Sequence, residues 1–227
     1  MKLISVKQAR SVWLFDVSDL NPKGENFTEQ LIDWIRASYN FAVSPDIKEV
    51  LAKAGTNDAI GLIFKRGRFQ ASDGSIIEIV SLGIHNDGIV VDTISSTQEA
   101  DRFAANILDS AAREFGFSYE PEMVRKRLYV STLIVKSDMA LDVIHPSLAA
   151  FAERISAALG NGRGPKFKLK QLGFWTEPND NGVHKTFTLM PQAAKLFSEH
   201  RYFSEAPLQT QDHFRLLEDL EGVLSEP

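Results

Sequence analysis

The chain has 227 residues, 25 Lys and Arg against 30 Asp and Glu, a net charge of −5 and no cysteine. That length supports one large core or two subdomains of roughly 100 residues each. The missing cysteines exclude disulfides, thiolate chemistry and cysteine-type zinc sites, and fit a reducing compartment. The N-terminal run MKLISVKQARSVWLF is broken by Lys7, Gln8 and Arg10, unlike a signal peptide, and no apolar run approaches the roughly 18 residues that span a bilayer. A cytoplasmic protein with no membrane association is therefore expected.

Ser11–Val17 is rich in aromatic and β-branched residues and predicts a strand. After the turn residues SDLNPKG, Asn26 or Thr28 caps a helix through about Tyr39, with Phe27, Leu31, Ile35 and Tyr39 on one stripe. Ser44-Pro45 predicts a second helix, over 45–54, ended by Gly55. Ala59–Gln70, Ser75–Ile84 and Gly88–Ile94 read as strands, the first bulged near Gly67. Their connections contain Asp73-Gly74 and Asp87-Gly88, pairs suited to tight hairpin turns, so residues 59–94 predict a three-stranded antiparallel meander. A Thr-capped helix over Thr97–Phe115 stops before Gly116.

Glu120-Pro121 opens a linker and the plan repeats. Leu128–Lys136 predicts a strand. Pro146 opens a helix with Leu148, Phe151, Ile155 and Leu159 inward. Lys166–Thr176, Val183–Met190 and Arg201–Glu205 predict strands, and Thr210 caps a last helix. The predicted fold is α+β with two similar halves, 1–119 and 120–227. Each reads β-α-β-β-β-α, with an antiparallel sheet and helices on one face. The sheets could join across a pseudo-two-fold, or the whole could be one continuous domain.

An echo between Gly88–Phe115 and Arg201–Leu224 supports an internal duplication. With Thr97 laid on Thr210, Gln98 meets Gln211, Glu99 meets Asp212, Arg102 meets Arg215, Phe103 meets Leu216 and Ile107 meets Leu220. An acid precedes both breaks at the same offset, Asp92 and Glu205.

Chemistry-bearing patterns are sparse. The five histidines, His85, His145, His184, His200 and His213, lack the i,i+2 or i,i+4 spacing of metal sites. Gly160, Gly162 and Gly164 follow a helix and precede a strand, the reverse of a phosphate loop. Serine-nucleophile signatures are missing. No cofactor, metal or catalytic residue is expected. Charge is uneven: residues 123–170 carry nine basic and three acidic residues, while the run from Glu199 onward carries seven acids and two Arg. Lys166, Lys168 and Lys170 alternate with Phe167 and Leu169, which on a strand puts three lysines on one face. Arg125, Lys126, Arg127 and Arg163 flank the same half, and Tyr202 adds an aromatic beside Phe174-Trp175.

These residues are the candidate binding set. The leading expectation is a non-enzymatic interaction or assembly module that binds a protein partner or itself, with the acidic last helix meeting the basic strand of another copy. The alternatives are nucleic-acid binding through 123–170, and a small-molecule or enzymatic pocket between sheet and helices, involving His184 or Tyr202.

Overall fold

The structure, a computed structural model, describes residues 1–22, 27–48, 50, 61–140, 146–158, 166–177 and 185–225. Among these residues the fold is mixed α+β, with one antiparallel eight-stranded sheet and five α-helices. The strands are β1 (Lys2–Leu14), β2 (Leu62–Gln70), β3 (Ile76–His85), β4 (Gly88–Thr93), β5 (Lys126–Lys136), β6 (Leu172–Trp175), β7 (Thr186–Pro191) and β8 (Arg201–Ala206). The helices are α1 (Val17–Leu20), α2 (Thr28–Ser38), α3 (Thr97–Phe115), α4 (Pro146–Ala158) and α5 (Thr210–Ser225). Strand order is β2-β3-β4-β1-β5-β8-β7-β6. The chain packs as two compact units. The first is Lys7–Ser131 with Leu208–Thr210; the second is Met1–Val6, Thr132–Pro207 and Gln211–Pro227.

In the first unit, the expected meander forms through β2, β3 and β4, and β4 pairs with β1 from Ala9↔Thr93 to Leu14↔Gly88. Strand β1 begins nine residues before the expected Ser11. The polar residues that break its apolar runs sit on alternate positions: Gln8 and Arg10 share one face, while Ala9, Ser11 and Trp13 are buried on the other. The expected strand residue Val17 instead starts α1, capped by Asp16, whose side chain accepts from Ser18 N–H.

The Asp87-Gly88 turn is shifted by one residue. His85 pairs with Gly88, so the turn centre is Asn86–Asp87, neither of which has a positive φ. Gly88 itself has φ 145°, and a Cβ there would lie 2.0 Å from the Trp13 carbonyl oxygen. Glycine is needed for close approach to β1 as well as for its backbone angle. Near Gly67, Arg66 adopts φ 58°, yet the β2–β3 register continues past it; the shift falls between β3 and β4, at Ile79/Ser81.

Helix α3 is capped by Ser96, not Thr97, through its side chain and Glu99 N–H at 3.2 Å, and it ends at Gly116 in the left-handed conformation (φ 69°). Its buried face, including Ala100, Phe103, Ala104 and Ile107, joins β1–β4 and α2 in a core of 20 buried residues. Phe103 is central there, with ring centroids 5.0 Å from Tyr39 and 5.6 Å from Phe69.

Among the described residues, Leu133, Val135, Leu189, Tyr202 and Leu217 form the second unit's buried cluster. The predicted strand Lys166–Thr176 shortens to β6, Leu172–Trp175, with Lys166–Gln171 irregular. Helix α4 starts at Pro146 as expected, but Leu148 and Phe151, expected inward, are exposed. The expected helix at 45–54 and the Gly160–Gly164 connector fall largely or wholly outside the described residues, as do His145 and His184.

The two aligned threonines touch each other. Thr97 N–H donates to Thr210 Oγ1 at 3.0 Å, and Thr210 N–H donates to Thr97 Oγ1 at 2.9 Å, both buried. Each hydroxyl satisfies a first-turn amide of the other's helix.

Candidate interaction surface

The sequence places most candidate binding residues in one basic stretch, but they belong to two different units. In the first unit, Arg125 pairs with Asp19 at 3.3 Å, Lys126 is exposed at the start of β5, and the Arg127 guanidinium lies 4.1 Å over the Trp13 ring. Arg163 lies outside the described residues. Tyr202, expected near a binding surface, is buried in the second unit's core and donates its hydroxyl to the Met139 carbonyl at 3.2 Å.

Lys166, Lys168 and Lys170 are exposed in the second unit, but not on a strand, so alternation does not align them. Two contacts position their segment instead. Phe167 N–H donates to Ser156 Oγ of α4 at 2.8 Å, and Lys168 Nζ stands 5.7 Å over the Phe197 ring. Beside them, β6 is the terminal strand in the sheet order. It pairs with β7 through Phe174↔Phe187 and Trp175↔Thr186, and Thr176 N–H extends the ladder to the Lys185 carbonyl at 3.0 Å. Alternation sends Phe174 and Trp175 to opposite faces. Phe174 reaches Phe187 at 6.1 Å between centroids, and Phe187 in turn meets His213 at 5.7 Å. Even so, Phe174 is 60% exposed and Trp175 80%. Phe167, Leu196 and Phe197 are exposed as well. Exposed aromatic side chains thus stand on both faces of β6, next in sequence to three exposed lysines; Glu177 is the acid described on the run 166–177.

Three polar constellations were not legible in the sequence. On β4, the Asp92 carboxylate accepts from Arg10 Nε at 2.8 Å, Arg10 Nη2 at 2.9 Å, Gln8 Nε2 at 3.0 Å and Ser81 Oγ at 2.8 Å. Burial pushes the Asp92 pKa up, but the Arg10, Gln8 and Ser81 hydrogen bonds together outweigh it, leaving the carboxyl below its ordinary range. On α3, Asp101 accepts from Ser11 Oγ, from Trp13 Nε1 at 2.8 Å and from Tyr129 hydroxyl at 3.0 Å, joining the helix to β1 and β5. Burial is the main reason the Tyr129 pKa is raised. In the second unit, His213 Nε2 lies 2.8 Å from Ser204 Oγ, which donates to the Thr188 carbonyl at 2.8 Å. The histidine, in the first turn of α5, is fully buried. All three clusters have their polar atoms matched within the protein, which suits them to holding strands and helices in register.

A cavity of about 470 Å³ lies in the first unit. Its walls are largely apolar, with Phe15, Leu31, Ile35, Ile107 and Phe117 among them, and it is bordered by Val50 and Gly61. The His85 ring sits against Gly61 and Gly83, and Tyr119 is the other titratable wall residue. Among the described residues, no three His, Asp or Glu side chains cluster as metal ligands, and no helix is long and apolar enough to cross a membrane. No protein-family model and no curated protein shows a significant match to the chain.

Proposed function

We propose that the protein is an interaction and assembly module, and that the aromatic–basic edge around β6 is its contact surface. The observation that carries this reading is the mismatch in the second unit. Among the described residues its buried cluster has five members, against 20 in the first unit, while Phe174, Trp175, Leu196 and Phe197 are exposed. Leaving Phe174 and Trp175 exposed on the two faces of the terminal strand forgoes up to about 1.5–3 kcal/mol of burial per side chain. Trp is also the residue type most enriched where binding energy concentrates. The cavity supports a small-molecule reading less well, because its walls among the described residues are largely apolar, with His85 and Tyr119 the titratable groups there. A chain without cysteine folds without oxidising conditions, and we place the module in the cytoplasm on that ground.

The architecture supports a duplicated origin for the halves 1–119 and 120–227. After β1 come helices, three strands and α3; after β5 come α4, three strands and α5. Strand order within the two sets corresponds, β2-β3-β4-β1 and β6-β7-β8-β5. The equivalent acids both accept a hydrogen bond from the first strand of their set, Asp92 from Arg10 and Glu205 from Thr132 Oγ1 at 3.4 Å. The reciprocal Thr97–Thr210 exchange pairs the two residues that the sequence echo aligns.

Site-specific photo-cross-linking from position 175 in cells tests the module reading, with position 76 as control, since Ile76 is 69% exposed in the first unit. Discrete cross-linked species from 175 and not from 76 are expected. Equal cross-linking from both positions, or none from 175, overturns the reading.

A further inference from the structure

We infer that the partner taken by the β6 edge is a second copy of this chain, which docks the outward stripe of α5 onto it. This deepens the module reading above and rests on it. Helix α5 buries Leu217 and His213 and leaves a second face in solvent. Asp212, Leu216, Asp219 and Val223 recur at the spacing that stacks side chains on one side of a helix, and all four are exposed. Glu218 is exposed beside them, and Arg215 is held back on Asp212 at 3.6 Å. The stripe therefore alternates acid with apolar. The segment leading into β6 carries the opposite charge: Lys166, Lys168 and Lys170 are exposed together with Phe167, and Trp175 lies exposed on β6 itself. Each surface offers what the other lacks, anions against ammonium groups and aliphatic side chains against aromatic rings.

Both surfaces lie in the second unit, so a two-fold pair of chains makes the same contact twice. Trp175, 80% exposed, is the aromatic group that such a pairing would cover twice. The acidic tail and the basic stretch, separate features of the sequence, become the two sides of one interface. A nucleic-acid strand would also meet lysines and stacked rings, but it would leave the acidic–apolar stripe of α5 without a role.

The test is charge exchange read by size-exclusion chromatography with light scattering. At low ionic strength the full chain should run at twice 25.3 kDa. One variant carries Lys166→Glu, Lys168→Glu and Lys170→Glu; a second carries Glu218→Lys and Asp219→Lys. Each alone should weaken the dimer at least about tenfold. Mixing the two should restore it, because an acidic edge then meets a basic helix. Trp175→Ala weakens the dimer without changing charge, and circular dichroism confirms that every variant stays folded. A wild-type monomer overturns the inference, as does a dimer indifferent to both reversals, or a pair of variants that fails to recover on mixing. A monomer that still cross-links another protein from position 175 overturns self-pairing alone and leaves the module reading standing.

Discussion

Replacing Thr97 or Thr210 by valine isolates the reciprocal exchange between α3 and the start of α5. Thr97 is fully buried and Thr210 is 6% exposed. Valine keeps the shape and deletes the acceptor, so Thr210→Val orphans the Thr97 amide and Thr97→Val orphans the Thr210 amide. A buried helix-start amide that loses its acceptor costs about 1–2 kcal/mol. The added methyl returns up to about 0.8 kcal/mol, leaving a net loss of about 0.5–2 kcal/mol for either variant. In a chain of this length each kcal/mol is worth about 2–4 °C in melting temperature. The decisive assay is amide hydrogen exchange followed residue by residue. In Thr210→Val the Thr97 amide should exchange roughly 5- to 30-fold faster, the ratio equivalent to one to two kcal/mol. In Thr97→Val the Thr210 amide should respond alike. Serine at either position keeps the hydroxyl and should leave both amides protected. The reasoning fails if the Thr97 amide stays protected in Thr210→Val, or if serine accelerates exchange as much as valine. Unequal costs for the two valine variants, differing by more than about 1 kcal/mol, would count against the equivalence of the two helix starts.

Other expectations follow from single sites. Asp92→Asn should cost about 1–3 kcal/mol at pH 7, since it removes charge-assisted bonds to Arg10. The folded-state pKa of Asp92 is depressed, so its contribution is full above the unfolded value of about 3.9 and fades as pH falls through the lower folded value. The gap between wild type and Asp92→Asn in urea titrations should therefore close on acidification, and a gap that persists or widens refutes the assignment. Gly88→Ala should destabilise by more than about 2 kcal/mol through the Trp13 carbonyl clash and the positive φ; a wild-type denaturation midpoint would contradict the close approach. Gly222→Ala in α5 has open space for its methyl and should stabilise by about 0.5–1 kcal/mol, read as a higher midpoint at unchanged slope.

Local signals in the chain were sufficient for several elements. Gly116 ends α3 where expected because a left-handed glycine acts within one turn of the helix, while the cap is Ser96, one residue before Thr97. The meander at β2–β4 followed from alternation and from Asp-Gly dipeptides, although the second turn settled one residue earlier. The unmatched stretches share one cause. Strand β1 looked too polar at Gln8 and Arg10 because their partner, Asp92, is more than 80 residues away. Lys166–Lys170 looked like a strand because alternation describes one segment and says nothing of what pairs with it; only β6, opposite β7, found a neighbour.

The candidate surface divides along the same line. Composition and order in the sequence determined the α+β class, the antiparallel meander and the presence of a basic stretch, since each is a property of neighbouring residues. Tertiary structure alone decided that Tyr202 and His213 are buried, that Trp175 and Phe174 are not, and that Arg125–Arg127 and Lys166–Lys170 belong to different units. Burial depends on which distant segments pack against a side chain, and a strand carries no record of whether it will lie inside a sheet or at its edge.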